Sequence, residues 1–290
     1  KFFKLKKKII LNLHPEFSSM SYDIIDGDRK AKLINKIIES IFVSQNFRVI
    51  KKNSLNVWNK GWEEIYNKIK NKKFDEKSIM PQYFSSQKVL RFQNEYIKTD
   101  KYFGCRMDQL IRKLVLYKFV NKTSNIIELG SGTGNNQILI NKLFPKIKQT
   151  ASDWSSPSLS INRLISKKIK KDIKIIKLNM VDLKGWENLE IDKNSLLLTT
   201  HSLEQLSGYS SNLLQKILNS NFKRVINIEP IIENYDQQNL LDFLAISYHK
   251  KRNYLTNWLY NLEKLERKKE IKFIFNKRFK FGDKFHEAYS

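Results

Sequence analysis

The sequence predicts an α/β chain: a doubly wound, mostly parallel sheet preceded by a helical extension. Three observations predict it. After residue 120, apolar runs of strand length alternate with segments of helix length. The first of those runs stops abruptly in three spaced glycines. Before residue 120, apolar residues recur mainly at helical spacing. Strands alternating with helices imply a parallel sheet covered on both faces.

The helical extension is read over residues 1–120 and doubles as a candidate lid. A first helix is expected over Ala31–Val43, with Leu33, Ile34, Ile37, Ile38, Ile41 and Phe42 on one side. A second is expected over Trp58–Ile69 through Trp62, Ile65, Tyr66 and Ile69. Pro81 breaks the pattern, and a third helix is expected near Gln87–Lys98. A fourth is expected over Asp108–Val120. Aromatics such as Trp58, Trp62, Tyr66, Tyr83 and Phe84 read as core or as a sugar platform.

The sheet domain is read over residues 121–290. Strands are expected at Ile126–Leu129, Lys148–Asp153, Ile173–Leu178, Ser195–Thr200, Arg224–Glu229 and Ile271–Arg278. Helices are expected at Asn135–Phe144, Ser158–Lys170, Leu213–Leu218 and, as one long element, Gln237–Lys268. The chain lacks an initial Met, and it stops where this fold normally runs a final antiparallel strand. A truncated reading frame is therefore expected.

Composition narrows the function classes. The 290 residues are 41% hydrophobic, enough for an ordinary core. No apolar run approaches the roughly 18–20 residues of a membrane span. The basic start Lys1–Leu11 has too short an apolar run for a secretory signal. Cys105 is the sole cysteine, so an internal disulfide and a cysteine-built metal site are excluded, and a cytoplasmic setting is expected. His14, His201, His249 and His286 show no metal-ligand spacing, so no metal is expected. The net charge of +25 suggests an anionic partner, but only ten of the 54 basic residues are Arg. Lys lacks the planar fork that reads phosphates and bases, so nucleic acid is the less favoured partner.

The motif Glu128-Leu-Gly130-Ser131-Gly132-Thr-Gly134 joins a strand to a helix. Its G-x-G-x-G spacing differs from the dinucleotide G-x-G-x-x-G, and no Lys-Ser/Thr pair makes it a phosphate loop. Asp153 ends the next strand, 19 residues beyond Gly134, where an acid can accept from ribose hydroxyls. Asp182 follows the third strand. In order, Glu-Leu-Gly-Ser-Gly-Thr-Gly, Ser-Asp153-Trp-Ser and Asn-Met-Val-Asp182-Leu resemble the class I S-adenosylmethionine-dependent methyltransferases, roughly over Ile126–Glu229. The resemblance implies a Rossmann-like fold and S-adenosylmethionine as cofactor. It implies that Glu128 holds the methionine amino end, and that Gly130, Ser131, Gly132 and Gly134 line the methionine and ribose. Asp153 would bind the ribose diol and Trp154 would pack on adenine. Met180 or Val181 would flank the ring, Asp182 would meet its amino group, and Thr200 would lie near the sulfonium. The bland alternatives are a helix cap at Asp153, a turn acid at Asp182 and plain core at Trp154.

The segment Thr200-His201-Ser202-Leu-Glu204-Gln205 faces the transferred methyl in such a fold. His201 is a candidate general base and Glu204 a candidate proton acceptor or hydroxyl holder. Ser202 with Gln205 equally matches a helix-capping box. Glu229-Pro230 points to the same rim. Lys101–Asp108 reads as a lid or as a helix lead-in, and Tyr248, His249, Arg252 and Asn253 as substrate contacts or as a wetted face. The Asn/Asp-Pro-Pro-Tyr of enzymes that methylate bases is missing. The expected acceptor is therefore a hydroxyl or amine on a small molecule, sugar (glycan) or lipid precursor. The alternatives are an RNA or protein methyltransferase and an inactive cofactor-binding module.

Overall fold

The computed structural model describes residues 20–44, 49, 55–70, 76–79 and 88–290. The basic start, Pro81, Tyr83 and Phe84 lie outside the described residues. The core is a five-stranded parallel sheet of β4 (Asn125–Leu129), β5 (Lys148–Asp153), β6 (Ile173–Lys177), β7 (Ser195–Thr200) and β8 (Arg224–Ile228), in the order β6-β5-β4-β7-β8. This is the Rossmann-like α/β arrangement expected. Every residue of β4 and β7 is buried, which is why both carry adjacent apolar residues, Ile126-Ile127 and Leu196-Leu197-Leu198, rather than strict alternation.

Alternate side chains feed two cores. Ile126, Leu196, Leu198 and Ile226 face one side and pack with α3 (Phe103–Phe119) and α4 (Asn135–Leu143). Ile127, Leu129 and Leu197 face the other and pack with α6 (Ser210–Leu218) and α8 (Trp258–Arg267). On the β5–β6 side, α5 (Ser156–Lys168) packs against α2 (Leu55–Lys70) through Ile161, Ile165, Ile65 and Ile69. Before them, α1 (Gly27–Ile38) runs into a π-helical turn at Glu39–Val43.

A second sheet has the order β1-β3-β2-β9, all antiparallel: β1 (Tyr22–Ile24), β2 (Val89–Phe92), β3 (Glu95–Thr99) and β9 (Phe281–Gly282). The helix expected near Gln87–Lys98 is therefore a hairpin. Gln93 and Asn94 stand at its tip with φ of 52° and 69°, the left-handed pair that a two-residue hairpin turn requires. Arg91 alternates with apolar neighbours and is drawn inward by a buried ion cluster, which spoils the helical apolar stripe.

Two further expectations are corrected. The single long helix over Gln237–Lys268 is two helices, α7 (Leu240–Arg252) and α8. The break falls at Asn253 and Asn257, with φ of 56° and 62°; Asn tolerates this left-handed conformation. Ile271–Arg278 is not a strand. The backbone that bonds beside the end of β8 is the chain's last residue: Ser290 N–H donates to the Glu229 carbonyl at 2.9 Å. Among the described residues, no helix is long and apolar enough to cross a membrane.

Candidate functional site

Reading outward from β4, the chain goes to β5 and β6 on one side and then to β7 and β8 on the other. The order reverses between β4 and β7, and an open α/β sheet binds ligands in the crevice beyond the strand ends at that point. The glycine turn follows β4 and Thr200–His201 follows β7, so both face the crevice. A cavity of about 340 Å³ opens there, of a size that takes a small molecule.

All three glycines have positive φ: 70° at Gly130, 49° at Gly132 and 71° at Gly134. At Gly130 a Cβ would stand 2.4 Å from Ser202 Cβ, so the β4 and β7 loops touch only because this residue is bare. At Gly134 it would meet Ile165 Cδ1 at 2.6 Å, and glycine there lets α4 dock on α5. Over Gly132 lies the ring of Trp62, 3.4 Å from where a Cβ would stand. Asp153 reaches the turn directly: one carboxylate oxygen accepts from Gly132 N–H at 2.9 Å and the other from Ser155 N–H at 2.9 Å. Ser131 is fixed by Asn162, whose amide donates to its hydroxyl at 3.2 Å.

Behind the turn sits a buried polar network. Glu128 is 2% exposed. Its two oxygens accept from Asn136 Nδ2 and Gln137 Nε2, each at 2.6 Å. Asn136 also donates to Thr200 Oγ1 at 3.1 Å and accepts from Arg112 Nη1 at 2.9 Å. Arg112 pairs with Asp108 at 2.8 Å, and Tyr289 donates its hydroxyl to the same Asp108 oxygen at 2.7 Å. Burial pushes the Glu128 carboxyl up to about 7, against the two amide donors and the Arg112 charge.

The loop after β7 supplies His201 and Glu204, and both line the cavity. His201 has a φ of 51°, and its ring stands edge-on to Tyr289 at 4.8 Å. Burial and the Arg112 charge hold its imidazole down at about 3, so it is neutral near pH 7 and a weak base. Glu204 is only partly buried and accepts from Gln205 Nε2 at 2.7 Å. Burial, then the neighbouring Glu229, push it up to about 8. Ser202 does not cap the 3₁₀ segment Leu203–Tyr209 with its side chain; its hydroxyl donates to the Leu129 carbonyl at 3.0 Å. The capping reading of the Ser-x-x-Gln pair is thereby corrected, because the neighbouring strand end takes the hydroxyl first.

Six of the expected residues, Gly134, Asp153, Trp154, Met180, Val181 and Asp182, do not line this cavity. Trp154 and Asp182 line a second cavity of about 500 Å³, together with Asn59 and Gly185. Helix α2 contributes to both, Trp58 and Trp62 to the first and Asn59 to the second. Met180 is buried, with its methyl 3.4 Å from a Cβ built on Gly130. Val181 is partly buried, its N–H held by Asn179 Oδ1 at 2.9 Å. Asp182 accepts from Lys184 N–H at 3.1 Å, as a turn acid would.

Several wall residues escaped the sequence reading. Arg112, Asn136 and Tyr289 carry no local motif, and only the fold brings them to Glu128. Tyr248 and Arg252 line the cavity rather than forming a wetted face, whereas His249 is buried behind them and bonded to His286 at 2.9 Å. The segment Lys101–Asp108 runs straight into α3, with Gly104 at the cavity wall.

No family model and no curated protein matches the chain. Solved structures resemble it distantly. The plantazolicin methyltransferase BpumL, in complex with SAH, is 12% identical over 83% of this chain and 78% of its own, with a TM-score of 0.37. A SAM dependent methyltransferase from Aquifex aeolicus is 15% identical over 67% and 88%, with a TM-score of 0.41. The [4+2]-cyclase SpnF is 11% identical over 59% of this chain and 56% of its own, with a TM-score of 0.39, so the chain spans little more than half of it. With TM-scores below 0.5, these likenesses carry no argument about activity.

Proposed function

We propose that the chain is an S-adenosylmethionine-dependent methyltransferase acting on a small-molecule acceptor. The observation that carries this reading is the bare glycine turn at the sheet's switch point, with the Asp153 carboxylate 2.9 Å from Gly132 N–H. The residues fit the amino-acid and sugar portions of the donor. Gly130, Ser131 and Gly132 line the cavity, and Glu128 offers a carboxyl already oriented by two amides to meet an ammonium. Asp153 stands beside the turn and, through the Gly132 and Ser155 N–H groups, holds it in place for the ribose. The adenine portion belongs in the second cavity, beside Trp154 and Asp182.

When bound, the donor supplies an electrophilic methyl on a positively charged sulfur. The protein's tasks are to align the acceptor and to exclude water. Thr200 and His201 form the wall at the end of β7, and Glu204 receives the acceptor's proton. His201 contributes a neutral ring beside it. Helix α2 covers the donor, with Trp62 over Gly132 and Trp58 stacked beside it at the cavity wall. Calorimetric titration with S-adenosylmethionine tests the reading. Wild-type protein should bind, and Asp153→Ala should weaken binding at least tenfold. Undiminished affinity in that variant would refute the pocket assignment.

A further inference from the structure

Beyond the glycine turn, the cavity wall comes from three separate elements: Glu204 from the β7 loop, Tyr248 and Arg252 from α7 with Tyr254 just after it, and Asp283 and His286 near the chain end. The tyrosines are fixed rings. Phe285 stacks on Tyr248 at 4.9 Å and 5°, and Tyr254 meets it edge-on at 5.8 Å. Arg252 sits over Tyr254, 5.2 Å from the ring centre. Rings of this kind suit a flat aromatic guest.

The charges exclude other guests. The groups facing Glu204 are Gln205, Glu229, Arg252 and Asp283. Burial shifts all three carboxyls toward their neutral forms, while Arg252 remains a cation. An ammonium guest therefore meets the Arg252 cation across the same cavity. A carboxylate guest needs no base and leaves Glu204 idle. An aliphatic alcohol is too weak an acid for a carboxyl titrating near 8, whereas a phenol, near 10, is matched to it.

We propose that the acceptor is a phenol, its ring held against Tyr248 and Tyr254, with Glu204 taking the hydroxyl proton and Arg252 facing the phenolate as it forms. This rests on the methyl-transfer reading. The O–H bond breaks toward the Glu204 carboxylate, and the oxygen's electron pair forms the bond to the methyl. The pair of the breaking carbon–sulfur bond stays on sulfur, which becomes a neutral thioether. Glu204 then returns its proton to water.

The test first establishes S-adenosylmethionine binding by calorimetry, then offers methyl-labelled donor with four probes that share one ring: catechol, benzylamine, benzyl alcohol and benzoate. Label is expected in catechol alone, at a rate that rises with pH through about 8, where Glu204 ionises. Glu204→Gln should lower that rate about 100-fold and abolish the rise, with donor affinity changed less than about threefold. Independently of turnover, 4-nitrophenol should bind protein loaded with S-adenosylhomocysteine, seen as a change in its phenolate absorbance. Arg252→Met should weaken that binding about tenfold. Donor binding with catechol unlabelled, or with label in the amine, alcohol or carboxylate, overturns the phenol assignment. Absence of donor binding overturns the methyl-transfer reading and this one with it.

Discussion

Replacing Gly130 by Ala probes the contact on which the crevice is built. At a φ of 70° any residue with a Cβ is strained by about 1–2 kcal/mol. The new Cβ would also stand 2.4 Å from Ser202 Cβ. Ser202 cannot retreat freely, because its hydroxyl donates to the Leu129 carbonyl at 3.0 Å and its N–H to Glu229 Oε1 at 3.1 Å. Loosening those two bonds costs about 0.5–1.5 kcal/mol each. The sum is roughly 2–5 kcal/mol. For a chain of this size each kcal/mol lowers the melting temperature by about 2–4 °C, so a fall of about 4–20 °C is expected. Gly61→Ala is the control. Gly61 lies inside α2 with nothing within 4 Å of its added Cβ, and the change should stabilise by about 0.5–1 kcal/mol. Thermal unfolding by circular dichroism separates the two. If the Gly130 variant melts within about 2 °C of wild type, the loops do not meet as described and the reasoning fails.

Other outcomes follow from the same geometry. Arg112→Met strands the Asp108 carboxylate, about 1% exposed, beside the Tyr289 hydroxyl, and should cost about 3–5 kcal/mol in urea unfolding; a loss below 1 kcal/mol would contradict the buried pair. The ligand-free protein should grow less stable as pH rises. Glu128 and Glu229 are buried, with folded-state values raised to about 7 from the ordinary 4.5, so their contribution is complete below about 4.5 and is lost as pH climbs through 7. Melting temperatures that increase from pH 5 to 8 would contradict this. His201→Ala should leave the shape of the pH–rate profile between 6 and 9 unchanged, since that ring titrates at about 3; a profile that loses a limb would restore His201 as the base. Donor binding should alter tryptophan emission through Trp62 over Gly132 and Trp154 in the second cavity, and Trp62→Phe combined with Trp154→Phe should remove most of that change.

The parts legible in the sequence are those with a local cause. The central parallel strands were readable because β4 and β7 are buried on both faces, and the glycine turn because three positive-φ positions leave a spacing that other side chains resist. Asp153 was readable because its place at the end of β5 is fixed by register: it lies beside the turn that follows β4. Other features have no local signature. The Gln93–Asn94 tip lacks the glycine that usually marks such a turn, and Asn253 and Asn257 break a helix without Gly or Pro. Arg112 looks like any helical surface residue until α3 packs beside α4. Trp154 and Asp182 line a second cavity beside α2, a division that no local feature of the sequence marks.

The two halves of the crevice differ in how far the chain must travel to assemble them. On the donor side, Gly132 meets Asp153 and Ser131 meets Asn162, 21 and 31 positions away. The opposite wall depends on Arg91 finding Asp242 and Glu287, 151 and 196 positions away, and on Asp108 finding Tyr289 across 181. Closing loops of that length is slow, so the nucleoside cradle should gain hydrogen-exchange protection early in refolding. The acceptor wall should follow only when both ends of the polypeptide have come together, which makes substrate selectivity the last property the molecule acquires.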